Sequence, residues 1–227
     1  MHRRNYSLSI LNGIFTRLGM NLTHPSLVLS VFVRALGGSN ALIGLLSTIR
    51  FAGWYLPQFL AASWIQPRPR KAPVAVALEI IRVLIYVVMG VLTYTLSLSH
   101  PRLLLLIFFV LFTFSRLITG SGALARLDAI GKVVSPLRRA SFFATRNFWG
   151  GALVFGAGFL VRYLLDPTRG LSFPLNFTLL FALSSCSFVA ATLTFSQIKE
   201  TPDGADQPHH SLKDQPGFSH KKSTHYD

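Results

Sequence analysis

Three arginines carry the most suggestive chemistry in this chain. Arg17, Arg50 and Arg116 each lie deep in a long apolar stretch, about 12–14 Å from its nearer end at the helical rise per residue. A guanidinium presents a planar fork of donors that matches a carboxylate or a phosphate. A cation in hydrocarbon is costly, so such groups face a bundle interior or a wet cavity. Neighbouring polar residues continue the pattern. Gly13, Arg17, Asn21 and His24 recur on one helical face, as do Ser47, Arg50, Trp54 and Gln58, and then Glu79, Arg82, Tyr86 and Thr93. Asn147, Gly151 and Gly158 share a side of a later stretch. Glu79 is the one acid well inside an apolar stretch, and it can pair with Arg82 three residues on. That pair lies near a stretch end, where long side chains can snorkel to water. One carboxylate cannot neutralise three central cations. The expectation is a positive cavity lined by Arg17, Asn21, Arg50, Trp54, Gln58 and Arg116, suited to a small polar or anionic solute.

Catalytic chemistry is less well provided for. Ser121 stands in Gly120-Ser121-Gly122, short of the Gly-x-Ser-Gly of rhomboid-type proteases, and the sixth apolar stretch holds no histidine. Nucleophilic catalysis needs a base within hydrogen-bond reach. Paired carboxylates for metal-dependent transfer are missing from the apolar stretches. Cys186 is the sole cysteine, so no intrachain disulfide or cysteine metal site can form. His209, His210, His220 and His225 belong to a polar tail in which no regular element fixes their spacing, and a solvated tail is the reading they favour. No enzyme, metal or cofactor is expected.

The elements that must position these residues are six apolar stretches, at 8–33, 41–64, 74–97, 102–124, 142–165 and 172–195. A transmembrane helix needs about 20 mostly apolar residues to cross about 30 Å of hydrocarbon. With 51% hydrophobic and 13% charged residues, lipid must solvate much of the surface. The net charge of +14 would suggest nucleic acid in a soluble protein. Here the basic residues sit mainly between the stretches, which is a topology signal and points to no nucleic acid partner. The fold expected is an all-α integral membrane bundle over residues 1–196. A polar tail over 197–227, without a periodic apolar face, is expected to be disordered.

Loops carry turn chemistry: Gly37-Gly38-Ser39-Asn40, Pro67-Arg68-Pro69-Arg70, Ser99-His100-Pro101 and Asp166-Pro167-Thr168-Arg169-Gly170. The basic stretch from Leu127 to Ala140 is read as the longest internal connection. Met1-His2-Arg3-Arg4 imitates the start of a signal peptide, but the following run is too long and is interrupted by Asn12, Arg17 and Asn21. It reads as a retained first span. Fourteen Lys and Arg residues fall on the side of both termini and four on the other. The positive-inside rule then puts both termini in the cytoplasm.

On these features the chain resembles the N-terminal half of a major facilitator superfamily transporter. The fourth stretch matches that family's Arg and Gly-x-Gly-Ala signature with Arg116, Gly120, Gly122 and Ala123, while Thr119 replaces a frequent Gln. The family's loop between spans two and three is matched only by Arg70 and Lys71, with Ala62 and Gln66 where Gly and Asp would stand. The Gly-Pro of antiporters is absent from the fifth stretch. Ile43-Gly44-Leu45-Leu46, Gly53-Trp54-Tyr55-Leu56-Pro57-Gln58 and Phe142-Phe143-Ala144-x-Arg146 resemble a poorly characterised bacterial branch. The resemblance implies a multi-pass protein of the plasma (inner) membrane, with two inverted three-helix repeats. Arg17 and Arg116 then correspond, as do Arg50-x-x-Gly53-Trp54 and Arg146-x-x-Trp149-Gly150. It further implies gating or structural roles for Arg70, Lys71, Glu79, Arg82, Gly120 and Gly122. The function expected is secondary transport of a small solute by alternating access, with this chain as one half needing a second six-helix half or a homodimer partner. The alternatives are a non-transporting receptor or assembly module and, more remotely, an intramembrane enzyme.

Overall fold

The computed structural model describes residues 2–65, 70–168 and 170–198. Those residues form helices and short turns, with no strand among them. The long helices are α1 (His2–Leu22), α3 (Asn40–Ile65), α4 (Ala72–Leu96), α5 (Pro101–Val133), α6 (Arg139–Leu165) and α7 (Leu175–Ser196); a short α2 (Ser30–Ala35) follows α1. The regions Ala72–Leu96, Pro101–Lys132, Pro136–Leu165 and Leu175–Ser196 are long and apolar enough to cross a bilayer. This is an all-helical membrane protein. Among the described residues, α1 and α3 are outside that set, so four of the six expected spans are matched; α1 is interrupted by Asn5, Asn12, Arg17 and Asn21. The tail from Lys199 onward and the loop residues 66–69 lie outside the described residues.

Two features depart from the sequence expectations. The stretch 8–33 is not one continuous α-helix. Pro25 lacks an N–H and pushes the residue before it out of helical geometry. His24 accordingly has ψ 128°, and a π-helical turn over Pro25–Leu29 leads into α2. The fourth helix, in turn, does not stop near residue 124. It runs to Val133, so the expected connection Leu127–Ala140 shrinks to a 3-10 turn at Pro136–Arg138 with its flanks. Burial explains the extension. Ala125, Ala129 and Ile130 pack with Ala75, Phe142 and Phe195 in an apolar cluster. Asp128 pairs with Lys132 one turn on, at 2.9 Å, and with Lys71 of the preceding loop at 3.1 Å. Val134 then turns extended ahead of Ser135-Pro136, which ends the helix.

The helices pack in the order α3, α5, α4, α7, α1, α6, each extensively against its neighbours in that series. An aromatic core fills the centre. Phe32 of α2 stands with its ring centroid 5.1 Å from those of Phe108 and Phe177 and 5.5 Å from Phe181. Tyr86 meets Phe188 edge-on at 4.8 Å. Such edge and tilted contacts add about 0.5–1.5 kcal/mol each beyond area burial. Hydroxyls inside the helices bond back to the preceding turn, as Thr23 does to Gly19, Thr93 to Met89 and Thr192 to Phe188. Such back-bonding satisfies polar groups that lipid could not. α6 is the least enclosed helix and exposes Phe148, Trp149, Phe155, Phe159 and Tyr163.

Candidate functional site: an arginine-lined cavity

Close approach of α3 and α5 shapes one wall of a cavity. A Cβ added at Gly120 would collide with the carbonyl oxygen of Gly53 and lie 2.6 Å from that of Trp54; one added at Gly53 would lie 2.5 Å from Arg116 Cβ. Only glycines allow these backbones to meet here. Gly122 is different: its nearest neighbours, Arg126 Nη1 and Leu78 Cδ1, would be 3.4 and 3.5 Å from an added Cβ. The opposite wall, α1 against α6, repeats the device. Gly150 sits against Arg17, whose Cδ would be 3.1 Å from a Cβ there, and Arg146 lies directly over Gly13.

Between these walls is a cavity of about 480 Å³ lined by residues of α1, α3, α5 and α6, with Pro25 from the π-turn. Arg17, Asn21, Arg50, Trp54 and Arg116, all expected from the sequence, line it together. Arg126, Arg146, Asn147 and His24 line it as well. Five guanidiniums therefore surround a space whose described lining includes no carboxylate. The volume falls in the range of small-molecule pockets, roughly 300–1,000 Å³.

Four of the five cations are held by different means. Arg17 Nη1 donates to Asn147 Oδ1 at 3.0 Å, and Arg17 is exposed. Arg50 Nη1 meets His24 Nε2 at 3.1 Å. Arg116 is buried, donates from Nη2 to the Tyr86 hydroxyl at 2.6 Å and lies 5.0 Å from the Phe112 ring centroid. Arg126 pairs with Glu79 and donates to the Thr119 carbonyl at 3.1 Å. Asn21 turns its amide back to the Arg17 carbonyl at 2.8 Å.

Other expected residues stand elsewhere. Gln58 is not among the lining residues; its amide donates to the Trp54 carbonyl at 2.7 Å, within its own helix. Glu79 and Arg82 pair, but neither snorkels. They are 2% and 1% exposed, because α5 and α7 close over them: Arg126 shares the carboxylate and the Arg82 guanidinium lies 3.9 Å from the Phe188 ring centroid. Lys71 is engaged with Asp128, while Arg70 is exposed. Ser121 donates to the Leu117 carbonyl at 3.0 Å, an ordinary helical back-bond. Among the described residues, no group of three or more His, Cys, Asp or Glu side chains could hold a metal ion.

Sequence reasoning counted Arg126 and Arg146 as loop charges. Ten residues beyond Arg116, Arg126 stands about 80° round the helix from it, so spacing alone did not place it on the cavity face. No protein-family model, curated protein or solved structure matches this chain.

Proposed function

We propose that this chain is a six-helix transport bundle of major facilitator type that carries a small anionic solute across the membrane by alternating access. The observation that carries the reading is the cavity itself: five arginines around a solute-sized space, with no carboxylate among its described lining residues. A structural role alone would pair these cations with acids, as the frame pairs Arg82 with Glu79; of the five, Arg126 shares that carboxylate, and no ion pair among the described residues neutralises Arg17, Arg50 or Arg116. Arg17 and Arg50 instead rest on neutral groups that a solute carboxylate or phosphate can replace.

The packing supports an internal repeat. Exchanging α1 with α5, α3 with α6 and α4 with α7 leaves the set of extensively packed neighbours unchanged. The same exchange relates Gly53 against Arg116 to Gly150 against Arg17. Two inverted three-helix repeats would produce both relations, and repeats of that kind place substrate sites at the repeat interface. Exposure of Arg17 and Asn147 favours a partner across the cavity, either a second six-helix bundle or a second copy. A central arginine left to lipid is unfavourable by roughly 2.5–3.5 kcal/mol on insertion scales. In this proposal all six long helices cross the plasma (inner) membrane and both termini are cytoplasmic.

The test is thermal stabilisation of the purified chain by small anions, cations and neutral polar solutes, followed by uptake of any hit into vesicles. Anions should stabilise by mass action. Arg17→Gln should weaken the best anion about 10- to 100-fold, the worth of a charge-assisted hydrogen bond of about 1.5–3 kcal/mol. Stabilisation by cations alone would overturn the anionic cavity. Saturable anion binding without flux, alone or with a partner bundle, would favour a receptor.

A further inference from the structure

His24 sits just past the end of α1, where Pro25 breaks the helix, and the break fixes it. Its carbonyl accepts from the N–H groups of Val28 and Leu29 at 2.9 and 3.1 Å, and Pro25 prevents the helix from closing over it. The ring meets Arg50 Nη1 through Nε2 at 3.1 Å. A guanidinium only donates and keeps its protons, so that Nε2 is bare and the ring is neutral. Nδ1 then carries the hydrogen, and it is buried with no hydrogen-bond partner among the described residues.

We propose that His24 links a proton to the anionic solute: neutral His24 holds Arg50 in the empty cavity, and His24 takes up a proton as the anion arrives, releasing Arg50 to it. The inference rests on the reading of the cavity as an anion site. Its physical basis is local. A protonated imidazole has only donors, so it cannot accept from Arg50 and the contact must open. The charged and titratable groups facing the cavity beside the ring are Arg50 of α3, Arg116 and Arg126 of α5, Arg17 of α1 and Arg146 of α6, with the Tyr86 hydroxyl of α4 behind Arg116. Without an anion, these cations oppose a further positive charge; an anion among them offsets that opposition. No described carboxylate in the lining can take the proton instead, and Glu79 is committed to Arg82 and Arg126. Linkage is reciprocal, so the proton must strengthen anion binding as much as the anion strengthens proton binding. The balance is one proton from solution to Nε2 and one Arg50 hydrogen bond moved from His24 to the solute. Nothing else is consumed.

The experiment measures binding of radiolabelled sulfate and methanesulfonate, both fully ionised across the range, to the full chain in lipid nanodiscs. A pH indicator in weak buffer reports proton uptake. Affinity should rise with acidification, by no more than about tenfold per pH unit, and level off once His24 is protonated without the anion, with uptake approaching one proton per anion. His24→Gln keeps an acceptor for Arg50 and cannot titrate, so its binding should be flat with pH and its proton uptake lost. Anion binding without proton uptake in the wild type overturns the role of His24 and leaves the anion site standing. Uptake unchanged in His24→Gln does the same. Absence of saturable binding of either anion at every pH overturns the anionic cavity, and this inference with it.

Discussion

Gly120→Ala and Gly122→Ala form a matched pair that tests how α3 and α5 meet. Both glycines lie in α5, two residues apart. Each alanine gains about 1 kcal/mol of helix propensity, so that gain cancels in the comparison. At 120 the new methyl would meet the Gly53 carbonyl and lie 2.6 Å from the Trp54 carbonyl oxygen. Restoring a contact of about 3.4 Å to the Trp54 oxygen alone demands a retreat of α3 by at least about 0.8 Å, and the nearer Gly53 oxygen demands more, since close-packed interiors leave few voids to absorb it. The obstruction is backbone, so no rotamer can relieve it. At 122 the nearest atoms are the tips of Arg126 and Leu78 side chains. Overpacking of the first kind costs about 1–3 kcal/mol, so Gly120→Ala should be less stable than Gly122→Ala by that amount. The assay is survival of a monodisperse size-exclusion peak after heating detergent-solubilised protein. Gly122→Ala should equal or exceed the wild type, whereas Gly120→Ala should aggregate at a lower temperature. Equal stability of the two variants would refute the close backbone contact and with it the assignment of α3 and α5 as cavity walls.

Further outcomes follow from the same geometry. Glu79→Gln should destabilise the bundle by about 3–5 kcal/mol in the same heating assay, because it strands Arg82 at 1% exposure and removes the partner of Arg126; wild-type stability would show that the carboxylate is dispensable. In a Cys186→Ser background, cysteines at the exposed positions 70 and 138 should resist an impermeant thiol reagent in intact cells while one at 40 reacts. The reverse labelling would invert the topology. Crosslinking in membranes should trap the chain against a partner through cysteines near Arg17 and Asn147; a stable monomer with saturable uptake would remove the need for any second bundle.

What was legible in the sequence followed cost. Charge in an apolar stretch is so unfavourable that Arg17, Arg50 and Arg116 announced an enclosed polar space, and helical spacing added Asn21 and Trp54. Helix ends were legible where proline or glycine enforced them, at Pro101 and in the loop before Asn40. Where cost was ambiguous the reading failed. Arg126 and Arg146 lie close to stretch ends, where a cation can belong equally to a loop or to a cavity; the buried alanine face of α5 decides for Arg126, and the packing of α6 on Gly13 of α1 decides for Arg146. Gln58 failed for a related reason: its spacing put it on the right face, but an amide can satisfy itself on the carbonyl of its own helix at position 54.

Partner choice was the least legible property, because it depends on which helices meet and not on where residues lie along one. Arg116 and Tyr86 are 30 residues apart, and Arg17 and Asn147 are 130 apart. Nothing in local spacing joins them. The same holds for Glu79, whose sequence neighbour Arg82 was evident while its second cation, Arg126, was not. That second pairing changes the meaning of the acid. Bound to one shallow arginine, Glu79 would be free to snorkel and to exchange protons; clamped between buried Arg82 and partly buried Arg126, it serves the frame. Proton exchange in the cavity then falls to His24, whose contact with Arg50 is neutral on one side and so can be exchanged for a solute.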